Sequence, residues 1–194
     1  LDFLRRQGLL LVTGGGTIIT PAGRRLVEEL DGVVQIIQGI ELQEKILADY
    51  FGLEHVIVVP SHGNPLSEKK ELGRFTLRYL LDTIKEGQIL AVTGGTTLAN
   101  VGVAASDNPK SQRNLTVVSG RGGLGERVEI ESNTIAVNIA RALGGKYSLL
   151  YLPDYLEPET LATLKKERSV LEVLNVLKDT DILLHGIGNA GEMA

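Results

Sequence analysis

From residue 53 onward, short apolar runs alternate with amphipathic stretches, and three of the runs end in glycine-rich turns. The runs are His55–Val59, Gln88–Val92, Leu115–Val118, Lys146–Leu152 and Asp181–Leu184. His55–Val59 is a continuous β-branched stretch, as expected of a strand buried on both faces. Helices are predicted from a Ser67 cap to about Lys85, from the turn after Val92 to about Ala105, and over Asn133–Leu143, Pro158–Lys166 and Val170–Lys178. Such alternation requires a parallel sheet with helices on both faces, an α/β fold.

Residues 1–30 follow a different rhythm. Leu1–Gln7 reads as a helix end stopped by Gly8. Leu9–Val12 and Thr17–Ile19 flank Gly14, Gly15 and Gly16, a hairpin whose glycines are expected to supply positive φ. Thr20 then caps a helix with Pro21 at its first position. This order fits the tail of a winged helix-turn-helix. A plain hairpin at the edge of an α/β domain is the alternative. Residues 31–52 carry Val33, Val34, Ile36, Ile37, Ile40, Ile46 and Leu47 on one wide stripe, closed by Gly52. They are read as a linker helix that either pairs with a second subunit or packs within its own chain. Residues 53–194 form the α/β domain.

Composition narrows the function. There is no Cys among 194 residues, so disulfides and thiolate metal sites are excluded and a cytoplasmic setting is expected. No apolar run approaches the roughly 20 residues of a membrane helix. A net charge of −4 argues against a long basic nucleic-acid groove in these residues. His55, His62 and His185 are too scattered for a metal site, and no cofactor is expected. The chain starts at Leu1 rather than Met and is read as part of something longer.

Ligands of open parallel sheets bind beyond the carboxyl ends of the strands. Gly94–Thr97, Gly120–Gly125 and Gly186–Gly188 lie at such ends. Glycine permits close backbone approach, and a following helix N-terminus offers N–H groups and partial positive charge. Thr96 and Thr97 add hydroxyl donors, and Arg121 a cation that can fork onto phosphate. Gly94, Gly95, Thr96, Thr97 and Arg121 therefore form the candidate anion site, with Gly122 and Gly123 beside them. His185 is either a ligand contact or plain packing. Among Glu126, Glu129 and Glu131, Glu131 is the one placed to accept sugar hydroxyls. Neither a Walker loop nor a dinucleotide fingerprint is present, so a phosphorylated small molecule is favoured.

The strings V-T-G-G-T-T-L-A-N-V at 92–101, V-V-S-G-R-G-G-L-G-E at 117–126, N-T-I-A at 133–136 and L-H-G-I-G-N-A at 184–190 resemble the effector domain of SorC-type bacterial transcriptional regulators. The segment 42–60 resembles the family's entry into that domain. The resemblance implies a Rossmann-like sheet of the phosphosugar isomerase and deaminase type. It implies an oligomeric DNA-binding repressor of glycolytic genes, with a phosphorylated sugar, above all fructose 1,6-bisphosphate, as effector. Operator DNA would be held by a winged domain ahead of residue 20. Carried over, Gly94, Gly95, Thr96 and Thr97 would hold one phosphate and Arg121 would reach the ligand. Glu131 stands where the family has Gln, a departure that places a carboxylate near a phosphate. Later basic residues that complete the family's site would lie past Ala194. The rival reading is a phosphosugar isomerase or deaminase on the same fold, which needs a poised general base.

Overall fold

The chain divides into two units, Leu1–Val58 and Val59–Ala194. The computed structural model describes residues 1–37, 39–61, 63–107, 114–123, 127–153 and 155–188. In the first unit, helix α1 (Asp2–Arg6) stops before Gly8, whose φ of 70° is left-handed. Strands β1 (Leu10–Thr13) and β2 (Gly16–Ile19) pair antiparallel with Thr13 opposite Gly16. Of the three glycines in that turn, positive φ falls on Gly16 alone, at 134°. The Thr20 hydroxyl accepts from the Gly23 N–H (3.1 Å) and donates to the Gly8 carbonyl (2.6 Å). It thereby caps α2 (Pro21–Ile37) and ties it to the strand entry.

Two expectations fail in this unit. The single helix predicted over 31–52 is two, because Gly39 is left-handed (φ 66°) and separates α2 from α3 (Ile40–Phe51). The expected order of helix, hairpin and helix forms, but a winged helix beyond those elements is not visible among the described residues. Gly52, at φ 65°, closes α3 as predicted.

The predicted first strand, His55–Val59, is also absent: residues 55–61 have no regular structure. The Val58 N–H donates to the Glu44 carboxylate (2.9 Å) instead of a ladder, and Pro60 has no N–H to give.

In the second unit, α4 (Pro65–Thr83) begins earlier than predicted. Asn64, not Ser67, is its cap, accepting from the Leu66 N–H at 3.1 Å, with Pro65 at the first position. Then follow β3 (Ile89–Val92), α5 (Thr96–Asp107), β4 (Thr116–Ser119), a 3₁₀ turn (Val128–Ile130), α6 (Ser132–Ala142), β5 (Lys146–Ser148), α7 (Pro158–Leu164), α8 (Arg168–Lys178) and β6 (Ile182–Leu184). The four strands β3–β6 form a parallel sheet in the order β5-β4-β3-β6. Four strands thus replace the five expected. β5 ends at Ser148 rather than Leu152, because the Leu150 N–H and C=O both bond to the Asn133 side-chain amide (3.1 Å each).

Helices cover both faces. Leu90, Val92 and Val117 pack with Leu77 and Leu80 of α4, Val101 of α5 and Ile135 and Ile139 of α6. Ala91 and Val118 pack on the opposite side with Leu150, Leu152 and Val170 and Val173 of α8. The period-2 alternation within β3 and β4 is what divides the core between two layers. Strand order reverses at β3, which has β4 on one side and β6 on the other, so the carboxyl end of β3 opens a crevice.

Candidate functional site

The crevice is a cleft of about 940 Å³. Its walls come from the ends of β3, β4 and β6 and the start of α6. Gly94, Gly95, Thr96, Thr97, Arg121, Gly122, Gly123, Glu131 and His185 all line it. Three separate turns of the sequence therefore converge on one space. Glu126 and His62 lie outside the described residues.

The β3 turn is shaped by the residues before α6. The Gly95 N–H donates to the Ile130 carbonyl (2.9 Å), and a Cβ on Gly94 would come within 2.9 Å of that same oxygen. Gly95 has φ 124°, outside the range of ordinary side chains. These glycines set the course of the turn, and the Gly95 N–H is already engaged. The first helical bond of α5 runs from Ala99 N–H to the Gly95 carbonyl (3.0 Å). The N–H groups of Thr96, Thr97 and Leu98 precede it and have no helical partner. With the helix dipole they make the positive floor of the cleft.

The β4 turn is braced differently. A Cβ on Gly122 would collide with the Leu152 carbonyl, and the Gly123 N–H donates to that carbonyl (2.9 Å). Gly122 is required for packing, while Arg121 beside it is exposed and lines the cleft. The Glu131 side chain lies against Gly123, with its carboxylate carbon 3.3 Å from where a Cβ would stand. His185 is exposed at the end of β6, its Nδ1 3.2 Å from the Gly186 carbonyl.

Several residues were not foreseen. Ser119 and Ser132 are buried, and their hydroxyls lie 2.7 Å apart. Ser132 donates to the Val92 carbonyl (2.6 Å), and Ser119 also lies 2.9 Å from the Arg121 carbonyl. This pair fastens β3, β4 and α6 together directly beneath the cleft. Its one sequence signal was a serine closing an otherwise apolar strand. Lys69 of α4 donates to Thr96 Oγ1 (2.9 Å), 27 residues away, a link no local spacing could show. Arg127 lines the cleft as a second cation, exposed and 3.7 Å from Glu129. Among the described residues no group of three His, Asp or Glu could hold a metal, and no helix is long and apolar enough to cross a membrane.

The arrangement brings backbone donors and two cations to one cleft, chemistry able to receive an anion, with Glu131 and His185 also in its lining.

Comparison with known proteins bears on what it serves. Residues 35–194 match the family described as "Putative sugar-binding domain". The chain is 35% identical over its whole length to the Central glycolytic genes regulator of Bacillus subtilis (strain 168) and 34% identical to that of Priestia megaterium. It spans 57% of the length of each. A crystal structure titled "putative SorC family transcriptional regulator from Enterococcus faecalis" matches with 32% identity and a TM-score of 0.66, over 78% of this chain and 62% of that one. The full-length sorbitol operon regulator SorC of Klebsiella pneumoniae shares the fold, with a TM-score of 0.67 at 18% identity, over 94% of this chain and 54% of that one. The chain belongs to the sugar-binding domain family of SorC-type regulators.

Proposed function

We propose that this chain is the effector-binding part of a cytoplasmic transcriptional repressor of sugar or glycolytic genes, and that its cleft takes a phosphorylated sugar, above all fructose 1,6-bisphosphate. The observation that carries the reading is the convergence of the α5 N-terminus, Thr96, Thr97 and Arg121 on one cleft at the strand-order reversal. A phosphate fits there because unpaired helix N–H groups, hydroxyl donors and a guanidinium all favour a multidentate anion. Glu131 repels a phosphate brought close to it, so in this reading it faces sugar hydroxyls. Operator DNA binding belongs to the N-terminal part of the longer protein, and the working form is a homo-oligomer. The mechanism is a population shift: the ligand prefers one arrangement of subunits and biases it by its differential affinity, on the order of 1–3 kcal/mol. A binding role is preferred to catalysis because the relatives are named as regulators.

The test is a titration of the operator-bound longer protein with fructose 1,6-bisphosphate, read by anisotropy. A change in operator affinity or cooperativity supports the proposal. Unchanged binding together with turnover of a sugar phosphate would move the assignment to an isomerase or deaminase.

A further inference from the structure

Lys69 does not line the cleft; it stands behind it. Its ammonium reaches from α4 to the first residue of α5, donating to Thr96 Oγ1 at 2.9 Å in a partly buried contact. Two consequences follow from the chemistry of these groups. An ammonium carries donors only, so the Thr96 oxygen must accept, and the hydroxyl proton has to point elsewhere. Among the described residues no acceptor takes that proton, and Thr96 itself lines the cleft. Second, no carboxylate among the described residues pairs with Lys69. A full positive charge therefore sits beside the partial positive charge of a helix N-terminus, an arrangement unfavourable without a nearby anion.

We infer that Lys69 is a positioning residue of the anion site: it fixes the Thr96 hydroxyl as a donor into the cleft and adds positive charge beneath the ligand. This rests on the sugar-phosphate reading above. Lys69 polarises the Thr96 O–H, and the bound phosphate relieves the repulsion between Lys69 and the α5 terminus. The donor set of the cleft is thereby extended to α4, an element outside its walls.

The test compares the longer protein with its Lys69→Met, Lys69→Arg, Thr96→Val and Lys69→Met/Thr96→Val variants, titrated with fructose 1,6-bisphosphate by calorimetry, alongside thermal unfolding without ligand. Lys69→Met is expected to weaken binding about tenfold, the scale of one lost charge contact at partial burial. Lys69→Arg should retain most of the affinity. In the Thr96→Val background the Lys69→Met loss should shrink to about twofold, because the two act as a unit. Unfolding of ligand-free Lys69→Met should occur at the parent temperature or above it. Equal affinity of parent and Lys69→Met overturns the inference alone, as does a Lys69→Met loss that is undiminished in the Thr96→Val background. A Lys69→Met variant that melts well below the parent without ligand assigns the lysine a structural role and overturns it too. A longer parent protein that binds no fructose 1,6-bisphosphate overturns the sugar-phosphate reading and this inference with it.

Discussion

The turns after β3 and β4 are both glycine-rich and both reach the cleft, yet they use glycine for different purposes. After β3, Gly95 adopts a φ of 124° with open space around its Cβ position, so the demand is conformational. After β4, Gly122 faces the Leu152 carbonyl, so the demand is steric. In both turns a glycine N–H is spent inside the protein, Gly95 on Ile130 and Gly123 on Leu152. The side chains that line the cleft beside these glycines are Thr96 and Thr97 in one turn and Arg121 in the other. A glycine-rich turn at a strand end therefore marks where the cleft lies more reliably than it marks which N–H groups stay available in it.

Substitutions can break this division of labour. Gly122→Val should have the largest effect, about 3 kcal/mol of lost stability, because the obstacle is backbone that cannot swing away. Chemical denaturation measures it, and a loss below about 1 kcal/mol would show that the β4 turn is not braced on Leu152. Ser132→Ala should cost about 1 kcal/mol, since it removes the buried hydroxyl that joins Ser119 to the Val92 carbonyl while the Gly120 N–H still serves that carbonyl and the Arg121 carbonyl still serves Ser119. Paired with Ser119→Ala in a double-mutant cycle, the losses should be well short of additive. Arg121→Met should change stability by less than about 0.5 kcal/mol, because the side chain is exposed, while weakening fructose 1,6-bisphosphate roughly thirtyfold, the worth of a charge-assisted contact. Gly95→Ala should cost about 1 kcal/mol of backbone strain with no steric clash, the smaller of the two glycine effects. Comparable stability losses for Gly95→Ala and Gly122→Val would erase the distinction.

The same contrast explains what could be read from the sequence. Gln88–Val92 and His55–Val59 both read as short strand-like apolar runs, and His55–Val59 is the richer in β-branched residues, but only Gln88–Val92 contributes a strand, β3, flanked by parallel partners. His55–Val59 gives its Val58 N–H to Glu44, and strand pairing is a tertiary event that composition does not encode. The break at Gly39 was within reach, because a mid-helix glycine is a recognised weak point; the left-handed φ was the missing fact. The cleft was legible because strand-end turns, threonines and arginine sit at fixed places in an α/β rhythm. Lys69 and the Ser119–Ser132 pair were not, since each joins residues 13 or more apart through side-chain contacts.

The central claim is that the α5 N-terminus and the β4 turn together hold a sugar phosphate. Backbone amide chemical shifts, followed by NMR during titration with fructose 1,6-bisphosphate, address it residue by residue. The account predicts saturable shifts concentrated at Thr96, Thr97, Leu98 and Arg121, with α8 unchanged. Absence of saturable shifts in those four amides, or shifts centred on α8 instead, would contradict it.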